Sequence, residues 1–152
     1  MLRHIQRTIV VAMIFSKDGK LFQGKKDPQG GDVYVDCWHI PGGGVEEGEE
    51  KLEALVREVQ EEIGFDLSPY SLELIDDADT GESEKTLATG EKVICEMKFY
   101  VYKVVIHNKD AHQIPIVLKS DLQEYHWVHP SELKNFKSTP PSVRLFSKLG
   151  YL

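Results

Sequence analysis

Apolar positions fall in two rhythms along the chain. Extended runs recur at Thr8 to Phe15, Lys20 to Lys25, Leu72 to Ile75, Val93 to Val105 and Tyr125 to Val128, and predict strands. Ser16 to Gly19 is polar and ends in glycine, so it predicts a tight turn between the first two runs. The run Val93 to Val105 is long and dense in Val, Ile, Phe and Tyr, as a central strand requires. Cys37 to Ile40 is short and extended, stopped by Pro41 and three glycines. Asp27 to Asp32 carries a proline and two glycines and predicts a loop. The stretch Asp76 to Glu84 is acidic and predicts another.

The second rhythm has a period near 3.6 and covers Glu50 to Ile63. Leu52, Leu55, Val56, Val59 and Ile63 form one apolar stripe, and Gly64 is a natural left-handed stop. Ser131 is placed to cap a helical turn through Leu133, and Ser142 to Leu149 predicts a C-terminal helix after Pro140-Pro141. Strands and few helices in this irregular order predict an α+β sandwich, not regular βαβ winding. No repeat, low-complexity tract or linker interrupts it, so residues 1–152 are expected to form a single domain.

The polar face of the long helix carries the chemistry. Glu58, Glu61 and Glu62 stand at i, i+3 and i+4 and crowd one arc beside the apolar stripe. Like charges at that spacing repel, no lysine follows four residues later, and Arg57 alone offsets them in part. A solvated face explains most amphipathic helices but fits this one poorly. Cations between the carboxylates remove the conflict, and clustered oxygen donors suit Mg²⁺. Ala54, one turn earlier on the same arc, is expected to leave room for an approaching group. Upstream, Pro41-Gly42-Gly43-Gly44 lets the backbone pass close to a ligand.

Charge sharpens this picture. The net charge of −7 disfavours a nucleic-acid polymer or an acidic membrane surface as partner, so a phosphate substrate here needs metal for its positive charge. Cys37 and Cys95 are far apart and predict small core residues in a reducing compartment. The apolar run after Arg3 and Arg7 is too short for a membrane span and lacks a small-residue cleavage site, which predicts a cytoplasmic protein.

Gly43, then Glu49 after five residues, then Arg57-Glu58 after seven more, with Val59, Glu61, Glu62, Gly64 and Phe65, resembles the complete signature of the Nudix hydrolase (MutT-like) superfamily. Only the aromatic Phe65 is unusual at its bulky apolar position. The resemblance implies an α/β/α sandwich around a mixed sheet, with the motif as a loop–helix–loop. It implies Mg²⁺, replaceable by Mn²⁺, on Glu58, Glu61 and Glu62 with the Gly42 carbonyl, supported by Glu49 and oriented by Arg57. The implied reaction is water attack on phosphorus in a diphosphate-containing nucleotide. Glu58 is the favoured base, with a loop residue as the alternative. Asp121, ahead of Glu124-Tyr125-His126-Trp127, resembles a further acidic ligand of many members, with Glu124 as fallback.

Gln6-Arg7-Thr8-Ile9-Val10, Trp38-His39-Ile40, Tyr125 to Leu133 and the Leu149-Gly150-Tyr151-Leu152 ending are similar to bacterial nucleoside triphosphatases of the NudI kind. That similarity favours a deoxynucleoside triphosphate cleaved to the monophosphate and pyrophosphate. A nucleotide-sugar or other nucleoside diphosphate-X hydrolase is the alternative, and a non-catalytic nucleotide sensor is disfavoured because all motif glutamates are present. Lys25 and Lys26, at the end of the second strand, and Gly43 and Gly44 are the candidate substrate contacts. Tyr100, Tyr102 and Trp38 either stack on a base or fill the core. The histidines at 39, 107, 112, 126 and 129 show no metal-binding spacing. Family members are often homodimers, but no feature of this sequence demonstrates one.

Overall fold

The computed structural model describes residues 1–26, 34, 36–119 and 122–152. Among them, eight strands form one sheet: β1 (Arg3–Ser16), β2 (Leu21–Lys26), β3 (Trp38–His39), β4 (Gly42–Gly44), β5 (Glu73–Asp76), β6 (Thr80–Thr86), β7 (Lys92–Ile106) and β8 (Leu122–Val128). Helix α1 (Lys51–Ile63) carries the glutamates and α2 (Pro140–Lys148) closes the chain. Short 3₁₀ turns lie at Ala111–Gln113 and Pro130–Asn135.

The sheet is mixed, and its spine is the parallel pair β1–β7, in register from Arg3↔Val93 to Ser16↔Ile106. All other strand pairs are antiparallel. On its other edge β1 meets β4 along Ile9, Val10 and Val11 and turns into β2 at Phe15↔Leu21. Gly19 makes that turn with φ of 81°, a conformation that costs glycine little. Strands β5 and β6 line the outer edge of β7.

Alternation along the strands feeds two cores. One face buries Val10, Ala12, Ile14 and Phe22 against Ala54, Leu55, Val59 and Ile63 of α1. The other buries Met13, Phe15, Leu21 and Val101 with Leu133 and with Leu145 and Phe146 of α2. A helix on each face of a mixed sheet is the expected α/β/α sandwich. Cys37 and Cys95 are buried free thiols, and Tyr102 is a core residue.

Several expectations need correction. The first strand begins five residues earlier than Thr8, because β7 continues to pair with it through Arg3. The three glycines are a strand, paired to β1, instead of a stop. Of the predicted acidic loop Asp76 to Glu84, Asp76 ends β5 and the stretch from Thr80 belongs to strand β6, whose charged residues are exposed and whose backbone pairs with β7. Leu52 is exposed at 45 %, whereas Ala54 is fully buried in the α1 core and leaves no room for a ligand. The turn at Pro130 is capped at His129, with proline at its first position, and not by Ser131. Thr139 caps α2, accepting from the Ser142 amide, so both prolines lie inside its first turn. The predicted loop at Asp27 to Asp32 lies outside the described residues.

Candidate active site

The site is built from β4, the loop after it and one side of α1. Gly64, at φ of 67°, ends α1 as expected, its N–H donating to the Gln60 carbonyl. Two further orphan carbonyls are satisfied from a distance: Val117 N–H donates to Ile63 and Lys119 N–H to Glu62. The helix end is thus pinned, which fixes where the glutamates stand.

Arg57 organises the carboxylates. Its Nε donates to Glu49 Oε2 at 2.8 Å and its Nη2 to Glu49 Oε1 at 3.0 Å, a bidentate pair. Nη2 also donates to the Gly44 carbonyl at 3.1 Å, and Nη1 to Glu58 at 3.1 Å and Glu61 at 3.3 Å. One guanidinium therefore ties strand, loop and helix together. Glu49 also accepts from the Glu46 amide at 3.0 Å. The hydrogen bonds from Arg57, and next the Glu46 amide, hold the Glu49 carboxyl at about 2, against an ordinary 4.5.

Glu58 behaves oppositely. Burial pushes its carboxyl above the ordinary range, and Arg57 opposes that shift. What buries it is the glycine strand: a Cβ on Gly43 would stand 2.5 and 2.6 Å from the two Glu58 oxygens. Gly42 is equally constrained, since a Cβ there would overlap the Val10 carbonyl oxygen and lie 2.6 Å from Val11 Cα. Glu61 is exposed beside Glu58, and Glu62 is buried at 8 %. Glu58 and Glu61 share Arg57, and Glu62 is buried on the same helix.

On the opposite side of β4 lies a cavity of about 370 Å³ between the sheet and α2. Its floor is Ile9, Val11, Phe99 and Val101, with Ile40 and Leu145 beside them, and Gly42 and Gly43 form one wall. Polar groups from distant segments ring it: Lys26, His39, Asp76, Asp79, Ser142, Arg144 and Lys148. Arg144 pairs with Asp79 at 3.1 Å and Lys148 with Asp76 at 2.5 Å, linking α2 to the β5–β6 connection. Sequence reasoning missed these residues because no local spacing connects a strand end near residue 76 with a helix near residue 144.

The remaining predicted residues separate. Lys26 lines the cavity, but Lys25 lies over the Trp38 ring and 3.9 Å from Asp36. Trp38 packs edge-on to His126 and Phe136, and Tyr100 carries Lys51 and Lys98 over its ring. Glu124 is exposed on β8, opposite Lys25. Asp121 lies outside the described residues. A second acidic group, which the sequence did not suggest, joins β1, β6 and β7: His4, Glu82 and Glu96 hold ligand atoms within 4.8 Å of one another, at the surface. It includes none of the motif residues.

Comparison with known proteins identifies the family. Residues 5–149 match the NUDIX domain. The nucleoside triphosphatase NudI of Escherichia coli O81 (strain ED1a) is 33% identical over 136 residues, 86% of this chain and 87% of the relative; NudI of strain K12 gives the same figures. Among solved structures, the MutT protein of Methanosarcina mazei Go1 superposes with a TM-score of 0.65 at 22% identity, covering 97% of this chain and 94% of that one. The E. coli dihydroneopterin triphosphate pyrophosphohydrolase gives 0.63 at 19%, covering 93% and 92%. The chain belongs to the Nudix family, and with its motif intact it is a pyrophosphohydrolase. No helix among the described residues is long and apolar enough to cross a membrane.

Proposed function

We propose that this protein is a Mg²⁺-dependent enzyme that hydrolyses a nucleoside triphosphate, deoxynucleoside triphosphates foremost, to the monophosphate and pyrophosphate. The observation that carries this reading is the double role of Gly43. One side of its backbone walls the cavity, and the other touches the Glu58 carboxylate. A nucleoside held against Ile9, Val11 and Phe99 thus has its phosphates one strand's thickness from the motif glutamates. The likeness to NudI supports the triphosphate, and the two buried free thiols suit a cytoplasmic enzyme.

Glu58, Glu61 and Glu62 are hard oxygen donors of the kind Mg²⁺ takes, with the Gly42 carbonyl as a fourth, and Mn²⁺ would be accepted by the same set. Bound metal supplies an acidified water and neutralises charge on the diphosphate leaving group. Glu58, packed against Gly43, is our candidate to take the proton of the attacking water, with a loop residue as the alternative. Glu49 stays ionised and holds Arg57, which keeps Glu58 and Glu61 in place.

The test is a panel of canonical deoxy- and ribonucleoside triphosphates, nucleotide sugars, ADP-ribose and dinucleoside polyphosphates, with Mg²⁺ or with chelator. Metal-dependent release of pyrophosphate and monophosphate from triphosphates is expected. Turnover confined to diphosphate-linked compounds would replace the triphosphate assignment, and the absence of any metal-dependent turnover would remove the enzymatic one.

A further inference from the structure

The chain has four arginines, at positions 3, 7, 57 and 144. Three hold carboxylates: Arg3 with Glu91, Arg57 with Glu49 and Arg144 with Asp79. Arg7 is exposed and, among the described residues, forms no ion pair, although the net charge is −7.

Its position is set by the sheet. Alternation puts Arg7 on the same face of β1 as Ile9 and Val11, which are cavity floor. The register places Val11 opposite Gly42 and Ile9 opposite Gly44, so Arg7 stands one pleat beyond the floor, past the end of β4. The guanidinium lies over Gly44: a Cβ there would overlap Nη2 and stand 2.9 Å from Cζ and 3.3 Å from Nε. Arg57 reaches the same residue through the Gly44 carbonyl. Two guanidiniums thus meet at Gly44. One comes from the helix with its donors on Glu49, Glu58 and Glu61; the other stands on the cavity face with none of its donors on a carboxylate.

We propose that Arg7 binds the polyphosphate of the substrate, its planar fork taking non-bridging oxygens where the chain passes from the cavity over Gly44 to the carboxylates. This rests on the reading of the cavity as the nucleoside site. An arginine suits the task because its fork matches two phosphate oxygens at once.

The experiment is steady-state kinetics and inhibition by inorganic tripolyphosphate, which carries the charge of the substrate without its nucleoside. Arg7→Gln should raise KM and weaken tripolyphosphate inhibition together, by about 10- to 100-fold, the value of a charge-assisted hydrogen bond, with kcat changed much less. Arg7→Lys should restore part of both. Gly44→Ala, which displaces the guanidinium, should act in the same direction, and the double variant should be little worse than the stronger single one. Wild-type KM and inhibition in Arg7→Gln would overturn the proposal. So would a raised KM with unchanged tripolyphosphate inhibition, which would move Arg7 to the base or sugar. If the wild type cleaves only diphosphate-linked nucleotides, the triphosphate reading fails, while Arg7 is judged on that substrate with pyrophosphate as inhibitor. If the wild type cleaves no nucleotide, calorimetric binding of tripolyphosphate decides it, and equal affinity in wild type and Arg7→Gln overturns it.

Discussion

Gly43 lacks a side chain because Glu58 fills the space a Cβ would need. The obstructing atoms are the end of a flexible carboxylate, so Gly43→Ala can be accommodated by swinging Glu58 aside. The expected outcome is a near-native melting temperature with turnover reduced by about 100-fold, the scale of an ångström's misplacement at a reacting centre; stopped activity assays beside a melting curve check it. Glu49 makes a different prediction. Its carboxyl titrates at about 2 in the folded protein against an ordinary 4.5, so its ionised form stabilises the fold above pH 4.5. That contribution is lost as pH falls through about 2. The melting temperature of Glu49→Gln should therefore lie below wild type at pH 6, and the gap should close on acidification from 4.5 toward 2. At neutral pH the same variant should lose about 10- to 100-fold in activity, as for other residues that orient metal ligands.

Elements were legible where local chemistry dictates them. The α1 helix ended where Gly64 predicted, because a left-handed residue is required there and glycine adopts it at little cost. Gly64→Ala should destabilise the protein by about 1–2 kcal/mol, since the new Cβ also approaches Val117 at 3.2 Å. Denaturant melts would read this directly. The motif from Gly43 to Glu62 could be read as a pattern because its positions lie on consecutive pieces of chain: β4, the loop after it and α1. Strand β6 escaped because Thr80–Thr86 contributes almost only backbone, and its charged side chains mimic a loop. The Gly42–Gly44 strand escaped because glycine normally signals a turn, while here it answers to close contacts with Val10 and Glu58. Ala54 misled because an amphipathic wheel shows which arc a residue occupies but not where the neighbouring sheet ends. The cavity was beyond sequence reasoning, since Ile9, Asp76, Phe99 and Arg144 converge only through β1–β7 pairing and α2 docking.

At the scale of the whole molecule, an excess of seven negative charges and carboxylates crowded on α1 make the folded state a better cation binder than the unfolded chain. Millimolar Mg²⁺ should raise the melting temperature, by an amount equivalent to about 2.7 kcal/mol at 100 times the dissociation constant. Sodium chloride at matched ionic strength should not reproduce the rise, and Glu61→Gln or Glu62→Gln should shrink it while leaving the metal-free melt near wild type. Equal increments in all variants would place the stabilising ion elsewhere, with His4, Glu82 and Glu96 the next position to substitute. The parallel pairing of β1 with β7 has a consequence of another kind. Residue 3 finds its partner only at residue 93, and residue 16 only at 106, so the spine of the sheet closes loops of about ninety residues before any of its ladder is secured. Such non-local pairing slows folding. During synthesis the edge of the first strand that β7 will occupy, along the apolar run Ile9 to Phe15, stays unpaired until two-thirds of the chain is made, and in that interval it is open to association with other nascent chains.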